Sequence, residues 1–292
     1  MTIPQFQKKI LSWYKKNRRD LPWRNTKDPY RILVSEVMLQ QTQVARVLPK
    51  YKEFLQKFPT IEKLAKASDK DLLKTWAGLG YWRRAKYLKE IAKTIVEAKK
   101  TNSNWSLFSE PKALEKLPGI GPYTARALAC FAFGSTKAFL DTNIRRVYLH
   151  FFFPLRQTQG KQAEKVSDKE ILKIAQKTLT SINNGRVKLM YPTITAREWH
   201  YALFDYGATV LKDKKVNKRS KHYAKQSRFE GSFRSFRTKV MRFLLDQQDQ
   251  KATKNRIARL LKEAQSPYPS GKVLAALEKD SLIKRRRNSY SL

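Results

Sequence analysis

Sulfur is nearly absent from this sequence. Cys130 is the lone cysteine in 292 residues, which excludes a disulfide framework, a zinc ribbon and a cysteine-ligated iron–sulfur cluster. Three scattered histidines, His150, His200 and His222, do not make a His-rich metal site, and no metal is expected. No apolar run approaches the ~18 residues of a membrane span, and the opening MTIPQFQKKILSWYKKNRRD lacks the pattern of a signal peptide. No membrane association is therefore expected. Acid is scarce too: 24 Asp and Glu stand against 62 Lys and Arg, a formal net charge of +38. Self-repulsion on that scale favours a polyanionic partner, and nucleic acid fits because Lys and Arg neutralise phosphates and release counterions. Charge alone implies binding, not chemistry.

What is present reads as helix almost throughout. Phe6, Ile10, Trp13 and Tyr14 share one helical face, as do Val47, Tyr51, Phe54, Leu55 and Phe58. Ser68 followed by Asp71 resembles a capping box ahead of Leu72, Leu73 and Trp76. A further helix is predicted from about Trp82 to Ala98. Strand-like alternation is scarce over the first two hundred residues, so the class is all-α. Residues 212–228 hold eight basic residues against Asp213 and keep no apolar period; they read as a basic linker. From Phe229 a small module is predicted, with helices near 233–246, 253–264 and 270–279, N-caps at Thr253 and Ser270, and a final basic hairpin. Three helices and a hairpin outline a winged-helix-like domain at 229–292.

Three segments carry chemistry. In Leu117-Pro118-Gly119-Ile120-Gly121-Pro122-Tyr123-Thr124, two glycines permit a tight turn and let backbone N–H groups approach an anion. Pro122 opens the next helix, whose N-terminus adds partial positive charge: a helix-hairpin-helix, a device for holding a phosphate by the main chain. Asp141, with Thr142 and Asn143, precedes a helix it is placed to cap; the helix dipole is expected to hold that carboxylate ionised, suited to facing a developing cation. Glu36 lies in a helix starting near Tyr30, among Ile32, Leu33, Val37, Met38 and Leu39. Desolvation there would raise its pKa and make it a proton donor near neutral pH. Spacing does not show whether Glu36 and Asp141 meet.

Together LPWR at 21–24, SEVMLQQTQV at 35–44, GLGYWRRA at 78–85, LPGIGPYTARA at 117–127 and DTNIRRV at 141–147 resemble the MutY-type adenine DNA glycosylases of the helix-hairpin-helix superfamily. The likeness runs in order from about residue 8 to 211. It implies two helical subdomains in residues 1–211: a six-helix barrel at about 25–135, and a second half from 1–24 plus 136–211. It further implies that Glu36 protonates a flipped adenine at N7, that Asp141 stabilises the oxocarbenium-like sugar, and that Tyr123 assists there. Trp23 and Arg24 would line the base pocket, Gln41 and Tyr81 would wedge into the duplex, and Gln40 and Thr42 would face the opposite base. Gly119, Gly121 and Asn143 would complete the DNA contacts, with room for a monovalent cation at the hairpin. A tyrosine at 123 cannot form the Schiff base of the bifunctional relatives, which points to monofunctional hydrolysis.

The sequence also departs from that pattern. Leu211 stands at the first of the four cluster cysteines and none follows, so the resemblance is to a short form without a cluster; the basic linker occupies the cluster loop. The carboxy-terminal domain that reads 8-oxoguanine in the usual members has no counterpart in residues 229–292. The expected partner is duplex DNA with a mismatched or damaged base, bound by a monomer in the cytoplasm at the nucleoid. Beside adenine removal opposite guanine or 8-oxoguanine, two readings stay open: a thymine or uracil mismatch glycosylase, and a DNA-binding protein without catalysis.

Overall fold

In the computed structural model, residues 1–100, 108–154, 165–184, 191–192, 194–225 and 227–292 are described. Among them the chain is helical apart from one small sheet, and it divides into two compact units. The first comprises Met1–Ile32, Leu107–Lys116 and Ile120–Lys225; the second comprises Leu33–Ser106, Leu117–Gly119 and Gln226–Leu292.

In the first unit, α1 (Ile3–Asn17) starts at a full capping box, with Thr2 and Gln5 satisfying each other's backbone N–H groups. Its Phe6 sits at the centre of an aromatic cluster with Tyr148, Phe151, Phe152 and Trp199, ring centroids 4.9–5.6 Å away. Of the face read from periodicity, Phe6 and Ile10 are fully buried. The cluster joins α1 to α9 (Thr142–Phe152) and α11 (Ala196–Thr209), while α10 (Asp168–Asn184) adds Ile171, Ala175 and Leu179 to the core. Two short helical stretches complete the unit's functional edge, α7 (Pro111–Leu114) and α8 (Pro122–Phe133).

Residues 212–228 are not the free linker that their composition suggested. Lys214–Arg219 form a 3₁₀ helix, Asn217 and Ser220 are buried, and Val166 pairs with Ser220 in a parallel bridge. Arg146 donates to the carbonyls of Gly207 (2.6 Å) and Leu211 (3.2 Å) and to Asn217. Backbone and amide hydrogen bonds, rather than an apolar face, hold this stretch through Lys225 on the first unit, which is why no period marked it. Gln226, within the segment read as a linker, lies outside the described residues.

In the second unit, α2 (Pro29–Leu39) ends, and α3 (Val44–Lys57), α4 (Ile61–Ala65), α5 (Asp69–Trp76) and α6 (Arg83–Lys100) surround a core of Val47, Phe54, Leu72, Leu73, Trp76, Leu88 and Ile91. Ser68 caps α5 as its spacing predicts, accepting the Asp71 N–H at 3.0 Å. Residues 227–292 fall in the same unit as these helices, and the break between the units comes after Lys225. They form α12 (Phe233–Asp246), α13 (Lys254–Glu263) and α14 (Ser270–Lys279), within a turn of the predicted limits. A three-stranded antiparallel sheet follows the order β1 (Lys251–Thr253), β3 (Ser289–Ser291), β2 (Lys284–Arg286), with Ala252 and Arg285 both opposite Tyr290. The hairpin was foreseen and β1 was not. Thr253 caps α13, but Ser270 is the first helical residue of α14 and caps nothing; Pro269 stands at the cap.

Candidate active site and nucleic-acid interface

The hairpin turn is built on one indispensable glycine. Gly119 has φ +74°, and a Cβ there would fall 2.2 Å from the ring of Tyr87. Gly121 is different: its φ of −89° suits any residue and a Cβ would meet nothing within 4 Å. Gly121 is the N-cap of α8, and no side chain caps that end. The start of α8 stands behind an exposed glycine and an exposed Pro122, which brings no N–H of its own. Tyr123, half-buried on the first turn, packs edge-on against Phe139 at 5.7 Å.

Asp141 caps α9, as read from the sequence, and does so with both oxygens. Oδ1 accepts the Ile144 N–H at 2.6 Å, and Oδ2 accepts the Asn143 amide at 2.8 Å. Arg146 in turn donates to Asn143 Oδ1 at 3.4 Å, so carboxylate, amide and guanidinium form one chain. Gly207 lets α11 approach it: a Cβ at that position would lie 2.5 Å from the Asn143 carbonyl. The expectation that the helix end keeps this carboxyl low is corrected. Burial pushes the Asp141 pKa up, and it outweighs the opposing hydrogen bonds from Ile144 and Asn143 and the charge of Arg145.

Trp23 is buried and Arg24 lies beside it in a short 3₁₀ turn, Pro22–Arg24. The Arg24 guanidinium makes two 2.8 Å bonds to Asp205 and lies over the Tyr201 ring at 4.5 Å. Asp205 also takes Arg19 Nε at 2.6 Å. Burial alone would raise the Asp205 pKa, but the Arg24 guanidinium, with Arg19, outweighs it and holds the carboxyl low. Arg197 fastens the same loop, donating to the carbonyls of Thr26 (2.5 Å) and Arg24 (3.1 Å). Asp205 and Arg197 were not singled out from the sequence. The available signal was a carboxylate inside the apolar run Ala202-Leu203-Phe204-Asp205-Tyr206, since a buried charge demands a partner.

In the second unit Glu36 is buried, 7% exposed, on α2 beside fully enclosed Leu33 and Met38. Gln40 Nε2 reaches the Gly119 carbonyl at 3.4 Å. Gln41 and Tyr81 share an uncommon feature: each is a non-glycine residue in the left-handed region, at φ +54° and +48°. For a bulky side chain such a backbone is strained, and strain of this kind collects at functional sites. What holds both loops is Arg84, a buried residue the motif reading had passed over. Its guanidinium donates to the carbonyls of Val37 (2.7 Å), Met38 (2.9 Å), Gln40 (2.6 Å), Leu79 (3.2 Å) and Gly80 (3.1 Å), and to the Thr42 hydroxyl (3.1 Å). Burial lowers its pKa to about 10, still charged at neutral pH.

Within the first unit the structure brings together Asp141 with Asn143, and Trp23 with Arg24; within the second it gathers Gln40, Gln41, Thr42 and Tyr81 around Arg84. Among the described residues no group of three or more His, Cys, Asp or Glu is placed to hold a metal, and no helix is long and apolar enough to cross a membrane. The segment after Leu211, where the resemblance puts a cluster loop, supplies no thiolate, and Cys130 is buried beside His200; these residues do not fit an iron–sulfur cluster.

A family model described as HhH-GPD superfamily base excision DNA repair protein matches residues 34–185. The adenine DNA glycosylase of Mycobacterium tuberculosis is 46% identical over 139 residues, 47% of this chain and 44% of that protein. That of Buchnera aphidicola subsp. Baizongia pistaciae is 35% identical over 211 residues, 72% of this chain and 54% of that protein. The chain thus spans about half the length of these curated relatives. Among solved structures, a thermostable thymine-DNA glycosylase aligns with a TM-score of 0.57 at 28% identity, covering 73% of this chain and 89% of that one.

Proposed function

Since the chain belongs to the HhH-GPD superfamily of base excision DNA repair proteins, we propose that it is a monofunctional DNA glycosylase that removes adenine mispaired with guanine or 8-oxoguanine from duplex DNA. The observation that carries this reading is the protected setting of both carboxylates the chemistry needs. Glu36 is enclosed on α2, and Asp141 is held at the cap of α9 by a backbone N–H and an amide. In the proposed reaction Glu36 gives its proton to adenine N7, and the C1′–N9 bond breaks with its electron pair passing to the base. Asp141 faces the cationic sugar until water adds at C1′ and releases a proton. The Ile144 N–H and the Asn143 amide fix both Asp141 oxygens, so the carboxylate needs no rearrangement to face that cation. Tyr123 has no amine and forms no covalent adduct.

Three further features support a duplex substrate. The start of α8 behind Gly121, where no Cβ stands in the way, suits the close approach of a backbone phosphate. Gln41 and Tyr81, held in strained backbone, suit residues that fill the gap left by an extruded base. Trp23 and Tyr201 are buried, and Arg24, committed to Asp205, lies over the Tyr201 ring, so these residues would shape a base pocket from behind instead of reading the base. The likeness to a thymine-DNA glycosylase favours a second reading, removal of thymine or uracil opposite guanine, which the same three residues would serve.

The test is single-turnover release of free base from A·G, A·8-oxoguanine, T·G and U·G duplexes by wild type, Glu36→Gln and Asp141→Asn. Release from the adenine duplexes, abolished in both variants while DNA binding persists, is the expected result. Wild-type rates in either variant would remove that residue from the mechanism, and release only from T·G or U·G would move the protein to the second reading. Asp141→Asn carries an additional expectation. Asn keeps an acceptor for the Ile144 N–H, though not a second one for the Asn143 amide, and it removes an acid whose burial-raised pKa costs stability at neutral pH. The inactive variant should therefore melt no lower than wild type at pH 7.

A further inference from the structure

The loops that carry Gln41 and Tyr81 do not end at a surface. Within the second unit they form one wall of a cavity of about 840 Å³ whose other wall is α12 and the residues just before it. That volume is in the range of ligand sites, ~300–1,000 Å³. Its lining holds six arginines against two carboxylates, Glu230 and Asp280. Several of these cations are already committed. Arg84 is spent on carbonyls, and Asp280 binds both Arg83, at 3.2 Å, and Arg237. Arg234 donates to the Tyr81 hydroxyl, lies 5.4 Å from the centre of its ring, and reaches the Ser227 carbonyl. Arg46 and Arg242 remain: both are exposed on the lining, and no carboxylate is paired with either among the described residues.

We infer that this cavity is a DNA-strand subsite assembled jointly by the 41–46 and 78–84 loops and by α12, in which Arg46 and Arg242 hold phosphates beside the unpaired nucleotide and Arg234 positions the Tyr81 side chain. Two guanidinium groups without a paired carboxylate, lining opposite walls of one cavity, repel each other unless an anion enters. A phosphodiester backbone supplies that anion repeatedly along its length. The strained residues at the rim are those proposed to enter the duplex, so the strand they displace passes this wall. Residues 227–292 lie outside the family match at 34–185, so Arg234 and Arg242 come from a part of the chain that the match does not describe, while Arg46 lies within it. The inference rests on the glycosylase reading only in taking DNA as the ligand.

The experiment uses the full chain and a duplex with a tetrahydrofuran abasic analogue opposite 2-aminopurine. Arg46→Ala and Arg242→Ala should each weaken binding roughly tenfold and lower the slope of log K against log salt by about 1, the signature of one lost phosphate contact. Lys262→Ala, an equal charge change at an exposed position of α13 away from the lining, should leave both quantities near wild type. Arg234→Ala should retain the slope of binding through the other cations better than Arg242→Ala but lose the 2-aminopurine fluorescence increase that marks unstacking. Wild-type slopes in both Arg46→Ala and Arg242→Ala, or an equal loss in Lys262→Ala, would overturn the subsite. An unchanged 2-aminopurine signal in Arg234→Ala would overturn its positioning of Tyr81. Base release by wild type is scored separately. Its absence alongside the expected slope changes would remove the catalytic reading and leave the subsite, whereas release with unchanged slopes would remove only the subsite.

Discussion

The two units secure their functional residues by different physics. In the first, buried groups are titratable: Asp205 is locked by Arg24 and Arg19, Asp141 caps a helix, and His200 is enclosed against Phe139, ring centroids 4.0 Å apart. In the second, one guanidinium gathers backbone carbonyls and thereby fixes two loops in strained geometry. Charge pairs tune chemistry, because they set which protonation state a site holds. A buried guanidinium bound to carbonyls sets shape and is indifferent to pH over the working range. Under the proposed function, the first design suits facing a transient cation and the second suits pushing into a duplex.

The sharpest way to break this contrast is to remove one anchor from each side. Asp205→Asn leaves the buried Arg24 charge without its counter-ion and should cost about 4 kcal/mol in chemical denaturation. A loss below about 1 kcal/mol would mean that the pair is not what holds residues 19–26. Arg84→Met removes the donors from six carbonyls and should cost about 3 kcal/mol, with hydrogen exchange rising at Gln40–Thr42 and Leu79–Tyr81. Exchange that rises instead around Asp141 would show that the two designs are not separate.

Acid sharpens the comparison further. Burial depresses His200 to about 4, against a Nδ1 bond of 2.7 Å to the Ala196 carbonyl that works the other way. Since the unfolded chain binds the proton first, the associated stability is complete above pH ~6.5 and is lost as pH falls toward 4, up to about 3 kcal/mol. Asp141 acts in the opposite sense, because its raised pKa makes protonation relieve a burial cost. Comparing wild type with His200→Gln isolates the histidine: the variant should lose much of the decline between pH 6.5 and 4. In the second unit, Asp69 is kept at about 2 by Lys86 and Lys89 in spite of burial, so those pairs survive that range. Amide exchange at pH 5 should accelerate in the first unit before the second; the reverse order would contradict the assignment. The smallest effect is a gain. Gln41→Gly relieves a left-handed backbone and should add up to about 1 kcal/mol while slowing base release.

Much of the helical framework was legible from local pattern. The caps at Ser68, Asp141 and Thr253 lie where short polar side chains precede apolar periods, and α12 to α14 follow their predicted limits within a turn. The misreadings have a common cause. Residues 212–228 read as a linker from composition because the part resting on the first unit is held by main-chain bonds to Val166 and by Arg146, neither of which leaves a periodic trace. The direction of the Asp141 shift was misjudged because capping is local, whereas the burial opposing it comes from elements far along the chain.

By itself the sequence determined the strongly cationic character of the chain, through a net charge of +38, and the helical class, through period and caps. It also determined the absence of thiolates for a cluster and the residues with chemistry to offer, with Tyr123 in place of an amine. These follow from residue identity and near-neighbour spacing. Only the tertiary structure decided that Arg24 belongs to Asp205, that Arg84 holds Gln41 and Tyr81 in place, and that α12 closes a cationic cavity against their loops. Each of those joins groups between about forty and two hundred positions apart, and a charge reveals its partner only when folding removes the water that would otherwise screen it.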